Sequence, residues 1–167
     1  MNVEDLLIKG LRAHVADAPR SGRRVEWAYG SLAELLLERG RLFVPAELPT
    51  TVKRLPPRQC YANAFAMASV RSDLVYAEGY AVCDLGDGDL LHFQHAWCVA
   101  LDGTVVDPTW DTPGLAYLGL PLGPRVGPPA FGPGLIHEIS DLVPVLEAGL
   151  PADVLVDVGR QPVPSRA

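Results

Sequence analysis

Two consecutive prolines, Pro56 and Pro57, stand just ahead of Cys60, and their hold on the backbone limits what this chain can fold into more than any other feature. Proline has no amide hydrogen and pushes the residue before it out of the helical region. With Pro45 and Pro49 also upstream, residues 44 to 57 cannot form a long helix and should run as a stiff, extended lead-in. The text from Gln59 onward, Gln-Cys-Tyr-Ala-Asn-Ala-Phe-Ala-Met-Ala, suits a helix. A helix is predicted to begin at about Gln59, with Cys60 in its first turn. Its Ala64, Phe65 and Ala68 form a face narrow enough to pack closely on a sheet.

The material for that sheet follows at once. Residues 74 to 82 and 93 to 109 are rich in Val, Tyr, Phe, Trp and Thr, which favour strands, and Asp84 to Asp89 reads as an exposed connection. Ala100-Leu101-Asp102-Gly103-Thr104 carries a hairpin signal. Upstream, Val3, Leu6, Leu7, Leu11 and Val15 recur at helical spacing, predicting an amphipathic helix over 3–17 that Pro19, Ser21 and Gly22 end. Ser31 with Glu34 three residues on forms a capping box for a second helix, which buries Leu32, Leu35 and Leu36 and stops near Gly40. Residues 111–134 are crowded with proline and glycine and lack periodicity, so they read as a long loop or lid. Ser140 is expected to cap a last helix over 140–149, with Pro144 in its first turn, and residues 162–167 form a flexible tail. The sum is one α+β domain over residues 1–161, with a core at 58–110 and a helix packed on an antiparallel β-sheet.

Length and charge narrow the function classes. A chain of 167 residues can bury one sizeable core. With 49% hydrophobic and 20% charged residues, its composition is that of a globular protein. A net charge of -6 without a stripe of Lys and Arg argues against nucleic acid as a partner, and Arg20 to Arg24 read as a solvated turn. No apolar run approaches the ~18 residues of a membrane span. Cys60, Cys83 and Cys98 are too few and odd in number for a disulfide framework. With no charged segment leading into an apolar run at the start, a reducing cytoplasm is expected.

The chemistry converges on three residues. A thiol is mostly protonated at neutral pH unless a helix N-terminus or an imidazolium stabilises its thiolate. Cys60 is placed for the first, and His95, on a strand, is available for the second. Asp107 can then hold the imidazole in one tautomer and stabilise its protonated form. The hairpin between them must satisfy a geometric condition. A two-residue turn at Asp102-Gly103 would put Asp107 on the face opposite His95. A three-residue loop, Leu101-Asp102-Gly103, pairs 100 with 104 and 97 with 107, making His95 a diagonal neighbour of Asp107. Gly103 stands where such a loop needs a left-handed residue, so the three-residue loop is predicted, with Ala96, Cys98 and Val106 on the other face.

His92, His95 and Cys98 suggest metal-ligand spacing, but residues three apart on a strand point to opposite faces, so no metal site is expected. Glu78 could reach the cleft or stand exposed on its strand, the second reading being preferred, and Cys83 and Cys98 read as packing residues.

Gln59-Cys60-Tyr61 on a helix, His95-Ala96-Trp97 on a strand and Val106-Asp107-Pro108-Thr109 on the next resemble the core of the transglutaminase-like superfamily of papain-like thiol enzymes, over roughly residues 58 to 110. The resemblance implies a papain-like core with the helix catalytic, and a Cys-His-Asp triad acting on an amide or ester through a thioester. Position by position, Cys60 would be nucleophile, His95 base and Asp107 orienter. Gln59, Asn63, Trp97 and Tyr117 are the candidates for the oxyanion hole or the substrate pocket, with Trp27 a further possible donor. No acidic loop has the spacing calcium needs, and no cofactor is implied. The expected reaction is hydrolysis of a peptide or protein amide, or a small amide, by a peptidase, amidase or deamidase. The alternatives are an amide-forming acyltransferase, a catalytically silent peptide-binding module, and a component of a larger assembly contacted through the proline- and glycine-rich segment. Substrate and oligomeric state are left open.

Overall fold

A computed structural model describes residues 2–17, 26–123, 135–136, 139–151 and 153–162. The N-terminal periodicity produces α1 (Val3–Asp17), which buries Leu7, Ile8 and Leu11 while Leu6 turns outward. Helix α2 (Leu32–Arg39) starts at Ser31, whose Oγ accepts the Glu34 N–H at 3.1 Å, and ends at Gly40, as its capping box requires. The proline-rich lead-in delivers α3 (Cys60–Val70), which exposes its flanks and buries Asn63 and Ala64. Helix α4 (Ile139–Ala148) contains Ser140 rather than being capped by it, and Pro144 lies past its first turn, contrary to expectation. The segment expected to end α1, with Pro19, Ser21 and Gly22, lies outside the described residues.

Five strands form one sheet. They are β1 (Arg41–Phe43), β2 (Leu74–Asp84), β3 (Leu90–Ala100), β4 (Val105–Val106) and β5 (Ala116–Leu122), in the order β1-β5-β2-β3-β4 with every neighbour antiparallel. One of these corrects the sequence reading: residues 116–122, expected to lie in a loop or lid, form an interior strand buried at every position. Strand β1 occupies residues 41–43, between the expected second helix and the expected extended lead-in, where no element was expected. Proline and glycine misled because they usually mark loops. Here Pro121 falls beyond the reach of β1, whose pairing stops at Gly119, while Gly119 is required by its surroundings. Gly119 faces Gly79 across the β2–β5 ladder. A Cβ on Gly79 would lie 2.0 Å from the Leu118 carbonyl oxygen, and one on Gly119 would lie 2.8 Å from the Trp97 ring. Residues 124–134 of the expected lid lie outside the described residues.

The sheet curls until its two edges meet. Val44, just past β1, bridges Thr104, just before β4; the Val44 N–H donates to the Gly103 carbonyl and the Val105 N–H to that of Val44, both at 2.9 Å. Strand side chains alternate, so the curl divides them into two sets. Phe43, Ala77, Ala81, Trp97, Val99, Val105 and Tyr117 pack together inside it. The small residues of β2 make room for Trp97 and Tyr117, both fully buried, and each large apolar side chain so buried contributes about 2 kcal/mol or more. On the outside, Leu42, Leu118, Leu120 and Leu122 carry α1, α2 and α4, while Leu74, Ala96, Cys98 and Val106 receive Ala64 of α3. Among the described residues no helix is long and apolar enough to cross a membrane.

Candidate active site

Strand β4 is short because Pro108 follows it closely and has no N–H with which to extend the ladder. Its pairing with β3 covers Cys98–Val106 and Val99–Val105 only. The next residue of β3 on that edge, Ala96, therefore has its N–H free of the ladder, and α3 brings Cys60 to it. The backbone N–H groups of Ala96 and Tyr61 and the His95 ring lie close enough to the Cys60 sulfur to favour its thiolate. Burial pushes the Cys60 thiol up, but the hydrogen bond and charge of His95 and the two N–H groups outweigh it, leaving the thiol below its ordinary value of 9.0.

The hairpin adopts the three-residue loop. The Ala100 N–H donates to the Thr104 carbonyl and the Gly103 N–H to that of Ala100, both at 2.9 Å, and Gly103 has φ +87. Asp107 thereby shares a face with His95, whose Nε2 lies 2.7 Å from Asp107 Oδ2. Nδ1 is then the ring nitrogen left to Cys60. The His95 and Asp107 side chains are 2% and 3% exposed, so water does not screen their interaction. Burial lowers the His95 pKa, but the hydrogen bonds to Asp107 and Cys60 and their charges overcome it and raise it above 6.5.

Asp107 is itself fixed on several sides. Oδ1 accepts the N–H groups of Thr109 at 2.9 Å and Trp110 at 3.3 Å, closing a turn that the Asp-Pro-Thr-Trp run encodes. The Tyr117 hydroxyl donates to Oδ2 at 3.3 Å and accepts the Gly114 N–H at 2.7 Å. The turn folds Trp110 over His95 in a stack with ring centroids 4.0 Å apart. Sequence reasoning missed Trp110, although its spacing from Asp107 was the available signal.

The remaining candidates separate by placement. Tyr117 and Trp97 are buried within the curl and border neither of the two depressions beside Cys60; Trp97 lies behind His95, with ring centroids 6.1 Å apart. The side-chain amide of Asn63 is spent on the Pro56 carbonyl at 2.7 Å and Thr109 Oγ1 at 3.0 Å, tying the proline lead-in to the segment after Asp107. Trp27 packs in the helical cluster on the outer side of the sheet. Gln59 alone of these borders the cleft beside Cys60, where its side chain is exposed. Glu78 is buried rather than exposed, its carboxylate accepting the N–H groups of Leu135 and Ile136 at 2.6 and 2.8 Å.

Cys60 lies between two depressions. One, of ≈ 690 Å³, is bordered by Arg58, Gln59, Tyr61, His92, Phe93 and Gln94. The other, of ≈ 410 Å³, is bordered by Pro57, Arg58, Cys83, Thr109, Trp110 and Asp111. Arg58 belongs to both, and its φ of 63 is a left-handed conformation costing a non-glycine residue about 1 kcal/mol or more. The other two thiols behave differently from Cys60. Burial and the Asp84 charge raise Cys83, while burial and the Asp107 charge push Cys98 up to about 12. Among the described residues no group of His, Cys, Asp and Glu is arranged to hold a metal ion. His92 instead packs edge-on to Tyr80, and Cys98 donates to the Ala64 carbonyl at 3.2 Å.

No family model, curated protein or solved structure matches this chain.

Proposed function

We propose that this chain is a cysteine-dependent enzyme that cleaves an amide of a peptide or protein through a thioester intermediate. The finer kinship with papain-like, transglutaminase-like thiol enzymes belongs to the same proposal. The observation that carries it is the convergence of Cys60, His95 and Asp107. A thiol lowered by an imidazole and two N–H groups stands beside an imidazole raised by a buried carboxylate.

In the first step the Cys60 thiolate attacks the carbonyl carbon, forming a C–S bond as the carbonyl becomes an oxyanion. The oxyanion collapses, the C–N bond breaks, and His95 gives its proton to the departing amine. His95 then removes a proton from water. The resulting attack breaks the C–S bond, releases a carboxylic acid and restores the thiolate–imidazolium pair. The oxyanion donors available are the Cys60 backbone N–H, at the open start of α3, and the exposed side-chain amide of Gln59. A second reading, transfer of the acyl group to an amine, is favoured by the depressions on both sides of Cys60, which offer separate room for donor and acceptor.

The test is a thiol-directed acyl probe applied to the wild type and Cys60→Ala, with an untargeted search for amides consumed by the former and spared by the latter. Fast labelling confined to Cys60, and lost in the variant, is expected. Equal, slow labelling of Cys60, Cys83 and Cys98 would defeat the proposal.

A further inference from the structure

Arg58 stands where the two depressions meet beside Cys60. Among the described residues no carboxylate lies within ion-pairing distance of its guanidinium, and the residues bordering the larger depression include no acid at all. The nearby Asp111, on the smaller one, is paired with Arg54 at 3.4 Å. Two local features oppose an arginine here. Its backbone is left-handed, at φ 63, and it precedes the N-terminus of α3, where the helix dipole disfavours a cation. An anion in the cleft offsets the second of these. In a chain of net charge -6, this is a cation held next to the candidate nucleophile.

We propose that Arg58 is a specificity-determining residue and that the amide cleaved at Cys60 carries a carboxylate close to its scissile bond. This rests on the reading of Cys60 as the nucleophile. A guanidinium grips a carboxylate with two parallel hydrogen bonds. The neutral amides of Gln59 and Gln94, which border the same depression, add donors without adding charge. Arg58 is the one permanent cation among the described residues bordering this depression, His92 being the titratable one, and a single fixed charge with neutral donors suits a singly charged anion. Tyr61 and Phe93 give the rest of that depression an aromatic character, fitting an acyl donor with apolar surface beside its carboxylate.

The charge is read with two reagents that form the same C–S bond and expel the same iodide, iodoacetate and iodoacetamide. The quantity is the ratio of their rates at Cys60, followed by mass spectrometry on the intact chain at low salt and about pH 6.5. Relative to the wild type, Arg58→Gln is expected to lower that ratio about fivefold, while Arg58→Lys keeps most of it. Salt at about 0.5 M should move the wild-type ratio toward that of Arg58→Gln. Arg58→Gly, which also relieves the backbone, should match Arg58→Gln. An unchanged ratio in Arg58→Gln overturns the proposal, as does a fall confined to Arg58→Gly, which would trace the effect to the backbone. Failure of the underlying reading is separate and visible in the wild type, where iodoacetamide would alkylate Cys60 no faster than Cys83.

Discussion

Helices α2 and α3 are both short, yet their N-termini are built in opposite ways. At α2, Ser31 Oγ takes the Glu34 N–H at 3.1 Å and the Glu34 carboxylate takes the Gly30 N–H at 2.6 Å, so the helix closes its own start. At α3, Gln59 makes no side-chain cap and the first turn holds no acid. The Tyr61 N–H lies instead where it favours the Cys60 thiolate. A good cap contributes about 1 kcal/mol, which α3 forgoes. Local sequence thus finishes α2 for packing, whereas α3 starts without a side-chain cap, an open end that the proposed chemistry would use.

The largest expected effect removes the partner that completes α3's open end. His95→Ala should slow alkylation of Cys60 by iodoacetamide near neutral pH about 100-fold. Burial would then push the thiol up with less to oppose it. A loss below about threefold, measured against Cys83 as internal standard, would mean that the helix terminus and N–H groups suffice without the imidazole.

The pH dependence sharpens the same point. The wild-type rate should rise with pH below the titration of an ordinary thiol, because Cys60 is lowered. His95 has a folded pKa raised above 6.5. The stability it contributes is therefore fully present below about pH 6.5 and is lost as pH climbs through the raised value. The difference in Tm between wild type and His95→Gln should accordingly be greatest in acid and shrink toward alkaline pH. A constant difference would contradict a charged His95.

A smaller change would make α3 resemble α2. Gln59→Asp supplies the missing cap and is expected to stabilise the fold by about 0.5–1 kcal/mol in urea unfolding while slowing Cys60 alkylation several-fold. The new carboxylate would compete for the helix donors and repel the thiolate. Greater stability with an undiminished rate would show that the open terminus does not tune the thiol. Least of all for the site, Ser31→Ala should cost about 1 kcal/mol of stability by the same unfolding measurement and leave Cys60 reactivity as it was. A change in that rate would show that the two helices are coupled.

Much of this was legible because it is local. Ser31 with Glu34 marks a helix start, the double proline at 56 and 57 places Cys60 at another, and Gly103 selects the loop that puts Asp107 on His95's face. What was not legible depends on neighbours distant in sequence. Strand β5 carries Gly119 and Pro121, which read as loop formers, and becomes a strand because Gly79 faces Gly119 and Trp97 fills the space a Cβ would take. Glu78 reads as a solvated strand residue and is buried because the Leu135 and Ile136 N–H groups meet it. Tyr117 and Trp97 were candidates for the pocket wall, but the direction in which the sheet curls puts them inside it.

The amino-acid sequence alone determined the Ser31 cap of α2, the proline lead-in, the hairpin register and therefore the face on which His95 and Asp107 meet. Each follows from backbone sterics and hydrogen bonding within a few residues of chain. The tertiary structure decided the closure of the sheet through Val44 and Thr104, the stacking of Trp110 on His95, the Tyr117 hydrogen bond to Asp107, and the placement of Arg58 beside Cys60. These depend on which surfaces compete successfully for burial across the whole chain, a comparison that no local stretch of residues contains.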